Sequence, residues 1–187
     1  MDLRERWVNL LYRAATGTRK SRNLLTPVGA LFFGLVTAAF VVLGLLVDQV
    51  LPVRWPISEG ISRLISIPIL GAGILITTWS VVHFLKVRGT PVPFNPPPTL
   101  VDSGPYQYVR NPMVTGVFLL LFGIGFALGS LSLVVIFTPL YMLAHLWELK
   151  NIEEPELVKR LGDDYVVYRS RTPMFIPAIR TDKRRHV

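Results

Sequence analysis

The chain has 187 residues, of which 51% are hydrophobic and only 17% are charged. Soluble domains carry about 25% charged residues, so this composition predicts an integral membrane protein and argues against a soluble enzyme. The net charge of +8 is expected to set the membrane topology and to attract anionic lipid. No nucleic-acid partner is expected, because no basic surface with interleaved aromatic residues is evident. The absence of cysteine excludes disulfides and thiolate chemistry.

The first segment, residues 1–23, is predicted to be an amphipathic helix that lies in the membrane interface. Leu3, Trp7, Leu10 and Leu11 recur at helical spacing, and arginines occupy other positions. Such a helix keeps its apolar face at the level of the lipid headgroups, where tryptophan is favoured. Anchoring is the simpler interpretation, and a part in substrate entry or lipid sensing is the alternative.

Two transmembrane helices are predicted within residues 24–88. The uncharged runs 23–47 and 64–85 can each cross the hydrocarbon core, which takes about 20 residues of helix. The helices are therefore expected at about 26–47 and 62–86.

A third uncharged run, 111–147, is too long for one membrane-spanning helix and short for two full ones with a loop between them. The sequence "ALGSLS" at 127–132 supplies a break, so a tight helical hairpin is predicted with arms at about 113–129 and 131–147. Each arm is near the lower limit of spanning length, which favours local thinning of the bilayer or burial in protein. The expected fold is all-α, with about four transmembrane helices.

Lysine and arginine are concentrated before the first transmembrane helix, in the linker after the second, and in the tail. By the positive-inside rule both termini and that linker face the cytoplasm. We expect a multi-pass protein of a bacterial or archaeal inner membrane. Residues 178–187 are expected to form a solvated basic tail.

The linker 89–105 is rich in proline, so a stiff, extended, non-helical segment is predicted. It either connects two helices or offers its backbone as one wall of a ligand site. The tail beginning "WELKNIEEPELVKRLGDDYVVYRSR" predicts an amphipathic cytosolic helix that is interrupted at Pro155 and Gly162.

Familiar catalytic motifs, such as nucleophile elbows, zinc-protease helices and phosphate loops, do not occur in the sequence. The three histidines, His83, His145 and His186, are far apart, so no metal site is expected. Polar residues gather instead at the two ends of the predicted hairpin: Tyr106, Tyr108, Arg110 and Asn111 before it, and Glu148, Lys150, Glu153 and Glu154 after it.

A tight hairpin brings its two ends together, so Glu153 and Glu154 are expected to face Arg110. One interpretation is a structural arginine–glutamate pair that holds the hairpin to the linker. The other is a site for a zwitterionic ligand, whose ammonium group the carboxylates hold. Arg110 and Glu154 are the residues expected to organise the reacting end of such a site.

The sequence "LVDSGPYQYVRNPMVTG", followed by "EEPELVKRLGDDYVVYRSRTPMFIP", resembles the isoprenylcysteine carboxyl methyltransferase family, which is related to the membrane phospholipid methyltransferases. The resemblance covers about residues 89–177, the expected methyltransferase core. The residues that match the family pattern in register are Leu100, Val101, Gly104, Tyr106, Arg110, Pro112, Gly116, Glu153, Glu154, Leu157, Gly162, Tyr165, Tyr168 and Pro173.

The resemblance implies S-adenosylmethionine as the methyl donor, bound at the cytosolic face under the linker and the tail. It implies that Glu153 takes the ammonium group of the cofactor. The other cofactor contacts that it implies are Pro98, Thr99, Leu100, Val101, Tyr106, Asn111, Pro112, Met113 and Val114. The methyl acceptor would be a lipid-like or prenylated small molecule that arrives from the bilayer.

Three positions depart from the family pattern. Asn111 stands where the family usually has histidine, Val114 where it has tyrosine, and Leu149 where the prenylcysteine enzymes have arginine. The neighbouring Lys150 points about 100° away around a helix, so a carboxylate acceptor lacks its expected partner. The expected function is methyl transfer to a lipid-like acceptor. The alternatives are methylation of a phospholipid amine and a non-enzymatic protein that binds lipid or scaffolds a partner.

Overall fold

The computed structural model describes residues 2–51, 54–87, 89–90 and 92–177, and this part of the chain contains helices and loops but no strand. The expected basic tail, 178–187, lies outside the described residues. The helices are α1 (Leu3–Ala15), α2 (Arg19–Val50), α3 (Glu59–Lys86), α4 (Pro112–Leu128), α5 (Thr138–Glu148), α6 (Glu154–Leu161) and α7 (Asp163–Arg171). A 3₁₀ turn covers Gly104–Gln107, and two π-helical turns cover Leu133–Phe137 and Leu149–Glu153.

Three helices of the described chain are long and apolar enough to cross a membrane: α2, α3 and the continuous helical run Leu133–Leu161. The fourth apolar helix, α4, has 17 residues and is shorter than the others. Its Val117, Phe118 and Leu121 are buried, so α4 is covered by protein rather than by lipid along one side. The predicted all-helical membrane class is confirmed, with three long apolar helices and one short one.

Close packing of α3 on α4 depends on residues without side chains. A Cβ atom on Gly73 would lie 2.9 Å from the carbonyl oxygen of Gly116. A Cβ atom on Gly123 would lie 2.7 Å from the Leu70 side chain. Small residues at these points let two membrane helices approach closely, and this contact fixes α4 and the segment that precedes it.

The predicted hairpin turns at Gly129, within the expected break. Gly129 has a φ of 63°, a left-handed conformation that glycine adopts at little cost. The Ser130 amide donates to the Gly125 carbonyl at 2.9 Å. The Asp48 carboxylate at the end of α2 accepts hydrogen bonds from the Ser130 hydroxyl and, at 2.9 Å, from the Ser132 amide.

The second arm of the hairpin continues as helix through Pro155, so the interruption predicted there is wrong. Pro155 lies in the first turn of α6, where a residue without an N–H group is tolerated. The break predicted at Gly162 does occur, because Gly162 has a φ of 60° and separates α6 from α7.

The N-terminal helix α1 packs against the tail. Leu11 and Ala15 are buried on its protein side, whereas Leu3, Trp7 and Leu10 are exposed. Of the residues in the predicted apolar face, Leu11 therefore contacts protein, whereas Leu3, Trp7 and Leu10 face away from it. The position of α1 in a membrane interface stays a prediction.

Candidate active site

One end of the helices encloses a cavity with about 900 Å³ of empty space, part of it open to the surroundings. Its walls come from the end of α3, the linker, the start of α4, the second π-helical turn, α6 and α7. The lining residues are Phe84, Thr90, Val92, Pro93, Pro96, Pro97, Thr99, Leu100, Val101, Tyr106, Arg110, Asn111, Met113, Val114, Glu153, Glu156, Leu157, Arg160, Leu161, Tyr165 and Tyr168.

The described part of the linker is irregular, as expected, but it is not extended throughout. The Thr90 amide donates to the Asn95 carbonyl at 2.9 Å, and the Asn95 amide donates to the Val92 carbonyl at 3.1 Å. Gly89 lies against Pro97, where a Cβ atom would come within 2.6 Å of the ring. The prediction of an extended segment is wrong here, because these hydrogen bonds close a turn that folds the linker over the cavity.

Tyr106 is fixed in the wall by the 3₁₀ turn. Gly104 begins this turn with a φ of 60°, and a Cβ atom there would lie 2.6 Å from the His83 ring. The buried Tyr106 ring meets the Phe84 ring edge-on, with centroids 4.7 Å apart. The Tyr106 carbonyl accepts a hydrogen bond of 2.7 Å from the Tyr168 hydroxyl, which ties the linker side of the cavity to α7.

Arg110 joins the start of the hairpin to its end. Its Nε and Nη2 atoms donate to Oε1 of Glu154 at 3.1 and 2.6 Å. Nη1 donates to the carbonyls of Arg169, at 3.1 Å, and Thr172. Only 12% of the Arg110 side chain and 9% of the Glu154 side chain are exposed, so the pair is largely shielded from water. The sequence prediction that Arg110 faces this acidic pair agrees with the structure for Glu154.

Glu153 lines the cavity, and none of the described residues donates a hydrogen bond to its carboxylate. Glu148 and Glu156 are near enough to interact with it electrostatically. Glu156 forms an ion pair with Arg160 at 2.8 Å, and Nη1 of Arg160 also donates to the Pro97 carbonyl at 3.2 Å. Both arginines of the wall, Arg110 and Arg160, are thus engaged by other carboxylates, and neither pairs directly with Glu153.

Glu153 and Glu154 lie where the second π-helical turn meets α6, and their side chains point in different directions, as those of neighbouring helical residues do. Glu153 ends this turn and faces the cavity, whereas Glu154 begins α6 and meets Arg110. A π-helical turn contains an extra residue relative to an α-helix and is frequent at functional sites. The sequence interpretation took this segment as an ordinary α-helix, although Ile152 and Leu157 are five residues apart, and so it missed the insertion.

Three tyrosines of the wall carry no charge at neutral pH. Burial raises the pKa of Tyr106 well above its usual range, and the negative charge of Glu153 adds to the effect. Burial also raises the pKa of Tyr165 and of Tyr168. Their hydroxyls remain protonated and contribute no negative charge. The hydroxyls of Tyr106 and Tyr165 can donate hydrogen bonds to a ligand, whereas that of Tyr168 already donates to the Tyr106 carbonyl.

Most of the residues predicted for the site lie in this cavity, although their roles stay predictions. The predicted residues that line it are Thr99, Leu100, Val101, Tyr106, Arg110, Asn111, Met113, Val114 and Glu153. Pro98 is exposed and Pro112 is buried in the first turn of α4, and neither lines the cavity. Glu154 is behind the wall in its pair with Arg110.

Sequence reasoning did not assign several wall residues to the site, among them Phe84, Glu156, Arg160, Tyr165 and Tyr168. Phe84 belongs to α3, outside the stretch that carried the resemblance. The sequence did contain a signal for Tyr165 and Tyr168. Both match the family pattern, and two residues three positions apart lie on one face of a helix.

The model of one protein family, described as phospholipid methyltransferase, matches residues 61–164. This range is more than half of the chain and holds most of α3, the linker, the hairpin and α6. The chain belongs to the phospholipid methyltransferase family. The matched range includes most of the walls of the cavity, so the candidate site lies within the part of the chain that defines membership of the phospholipid methyltransferase family.

The chain is similar to a curated protein, the protein-S-isoprenylcysteine O-methyltransferase of Schizosaccharomyces pombe. The two are 35% identical over 80 residues, which are 43% of this chain and 34% of the relative. The chain therefore spans about a third of the length of that relative. No solved structure matches the chain.

Proposed function

We propose that this protein is a membrane methyltransferase that takes its methyl group from S-adenosylmethionine and transfers it to a lipid-like acceptor. The observation that supports this most strongly is the Glu153 carboxylate, which faces the cavity without a donor from the described residues. A shielded carboxylate without a partner is costly, and a cationic ligand would relieve that cost. Family membership supplies the chemistry expected of such a ligand.

The polar and aromatic groups that line the cavity suit the charged groups of S-adenosylmethionine. The cofactor carries an ammonium group, a sulfonium centre and a carboxylate. Glu153 would hold the ammonium group through a charge-assisted hydrogen bond. The Asn111 amide, which lines the cavity and is not used to cap α4, offers donors for the carboxylate. Tyr106, Tyr165 and Phe84 supply aromatic faces, which attract cations.

When bound, S-adenosylmethionine supplies an electrophilic methyl group, which a lone pair on the acceptor takes as the carbon–sulfur bond breaks. The protein's contribution is to hold the acceptor in line and to exclude water. The linker covers one side of the cavity through the Arg160–Pro97 and Tyr168–Tyr106 hydrogen bonds.

Arg110 and Glu154 act in this proposal as a positioning pair. The guanidinium group of Arg110 is engaged by Glu154 and by two carbonyls, so it has little capacity left for a substrate. Its task is to keep the start of α4, which carries Asn111 and Val114, beside the turn that carries Glu153.

The acceptor would enter from the bilayer. Phe84, Met113 and Val114 line the cavity and belong to the ends of α3 and α4, which are apolar helices. We place the entry of the acceptor on this side of the cavity, because it adjoins the ends of these two apolar helices.

One observation supports a second candidate, methylation of a phospholipid amine. The resemblance to prenylcysteine enzymes places an arginine at position 149, but the residue here is a leucine that is only 2% exposed. The neighbouring Lys150 is exposed, and Arg110 and Arg160 are already paired. Among the described residues of the wall, no unpaired cation is left to hold the carboxylate of a prenylcysteine.

A labelled-methyl assay tests the proposal. The protein in nanodiscs is incubated with S-adenosylmethionine labelled in the methyl group and with a total lipid extract. Label in the extracted lipid is counted, the extract is treated with alkali, and the label released as volatile methanol is counted. We expect transfer to lipid by the wild type and a loss of at least tenfold for Glu153→Gln. A methyl ester releases its label in alkali and an N-methyl group keeps it, so one assay separates carboxyl from amine acceptors.

The matched control is Glu59→Gln, which removes an exposed carboxylate at the opposite end of α3 and should leave transfer unchanged. Binding of S-adenosylhomocysteine without any methyl transfer, across lipids of all headgroup classes, would overturn the enzymatic proposal.

A further inference from the structure

The N-terminal helix α1 lies against the outer side of the segment that carries the acidic wall of the cavity. Nε of Arg4 donates to the carbonyl of Asn151 at 3.0 Å, within the second π-helical turn. Nζ of Lys159 in α6 donates to Oδ1 of Asn9 at 2.6 Å, and it also lies 4.5 Å from the centre of the Tyr12 ring. Glu153 and Arg160, which line the cavity, are in this same segment, so α1 supports the wall from behind.

The opposite side of α1 presents an apolar strip. Leu3, Trp7 and Leu10 are 67%, 51% and 56% exposed, and their spacing of four and three residues places them on one face of the helix. Ala14, four residues beyond Leu10, continues the same strip. An exposed strip of this kind indicates an interaction surface.

Two arginines border this strip. Arg6 and Arg13, with Asn9 and Leu10, line a small groove on the surface of α1. Both are exposed, and neither forms an ion pair with a described residue. An apolar face bordered by unpaired arginines is typical of a helix that lies flat on a membrane and contacts lipid phosphates.

The chain path favours a bilayer over a soluble partner for this surface. The end of α1 at Ala15 is joined to the start of α2 at Arg19 by a short turn, and α2 is one of the helices that can cross the membrane. α1 is therefore held beside the membrane surface. The exposed Arg19 and Lys20 add positive charge at the same level, which complements anionic headgroups.

We infer that α1 is a bilayer-dependent support for the active site: it binds anionic phospholipid with Arg6, Arg13 and its apolar strip, and thereby holds the Glu153 segment in place. Binding of α1 to the bilayer and ordering of the Leu149–Leu161 segment are coupled through Lys159, Asn9 and Arg4. The link to cofactor affinity rests on the proposed function, whereas the coupling of α1 to the segment does not.

The position of α1 is measured with a single fluorophore at Ala14→Cys, since the chain has no other cysteine. The protein is placed in nanodiscs of brominated phosphatidylcholine with or without phosphatidylglycerol, and quenching of the label is recorded. We expect phosphatidylglycerol to increase quenching, and the double variant Arg6→Gln/Arg13→Gln to lower the ratio of inserted to free helix by about fivefold for each arginine. The control Arg63→Gln, at the opposite end of α3, should behave as the wild type.

The coupling is measured without cofactor, by hydrogen exchange of the amides in Leu149–Leu161. We expect slower exchange in the discs that contain phosphatidylglycerol. Lys159→Ala should abolish this difference while it leaves the quenching of the label unchanged.

Equal quenching of the label in the two lipids would overturn the inference. So would an insertion of α1 that leaves the rate of amide hydrogen exchange in Leu149–Leu161 the same in both lipids. Loss of S-adenosylhomocysteine binding with both lipid effects intact would instead count only against the proposed function.

Discussion

At the scale of single residues, the site depends on two adjacent carboxylates with different surroundings. Glu154 is enclosed by Arg110 at 2.6 Å and by Arg169 at 3.8 Å. Glu153 faces the cavity and has no such partner among the described residues. Two identical side chains next to each other in sequence are therefore expected to respond differently to substitution.

Removal of either member of the Arg110–Glu154 pair should lower the stability of the protein. Breaking a buried pair leaves an uncompensated charge, which costs about 3–5 kcal/mol, so Arg110→Ala and Glu154→Gln should each reduce the free energy of unfolding in detergent by about that amount. The two losses should be far from additive in the double variant, since the second substitution removes the orphaned charge.

The control for this pair is Arg63→Ala, which breaks the exposed Arg63–Glu59 pair and should cost no more than about 1 kcal/mol. If Arg110→Ala abolished methyl transfer while the free energy of unfolding stayed at its wild-type value, Arg110 would act in the chemistry itself and not as a positioning residue.

At the scale of helices, the site depends on the close packing of α3 and α4, because α4 presents Asn111, Met113 and Val114 at its start. Gly73 and Gly71 provide a matched comparison on α3. A Cβ atom on Gly73 would lie 2.9 Å from the backbone oxygen of Gly116, whereas a Cβ atom on Gly71 would have no atom within 4 Å.

We therefore expect Gly73→Ala to separate the two helices and to lower the free energy of unfolding by about 1–3 kcal/mol, the usual cost of overpacking. Gly71→Ala should change it by no more than about 0.5 kcal/mol. Unfolding of both variants in the same detergent is the measurement. Equal effects of the two substitutions would show that the α3–α4 contact does not have the geometry described.

Some features of the helices could be predicted from the sequence and others could not. The hairpin turn at Gly129 was predictable because "ALGSLS" combines a glycine with helix-capping serines inside an apolar run. The meeting of Arg110 and Glu154 followed from that hairpin. The continuation of helix through Pro155 was not predictable from local preference, because a proline can either interrupt a helix or occupy the first turn of a new one.

At the scale of the whole molecule, the cavity exists because the linker and the start of α4 meet the tail, which is distant from them in sequence. The hydrogen bonds that close it, from Arg160 to Pro97 and from Tyr168 to Tyr106, join residues 63 and 62 positions apart in sequence. Contacts of this range leave no local pattern, which is why Arg160 and Tyr168 were missed, and why Pro98 and Pro112 were expected in the wall but lie outside it.

The central claim is that this cavity binds S-adenosylmethionine through Glu153, and calorimetric titration with S-adenosylhomocysteine tests it most directly. The wild-type protein in nanodiscs should bind, and Glu153→Gln should bind about tenfold to a hundredfold more weakly, because it loses a charge-assisted hydrogen bond. Glu59→Gln should bind as the wild type does. An absence of binding by the wild type, or an unchanged affinity in Glu153→Gln, would contradict the account.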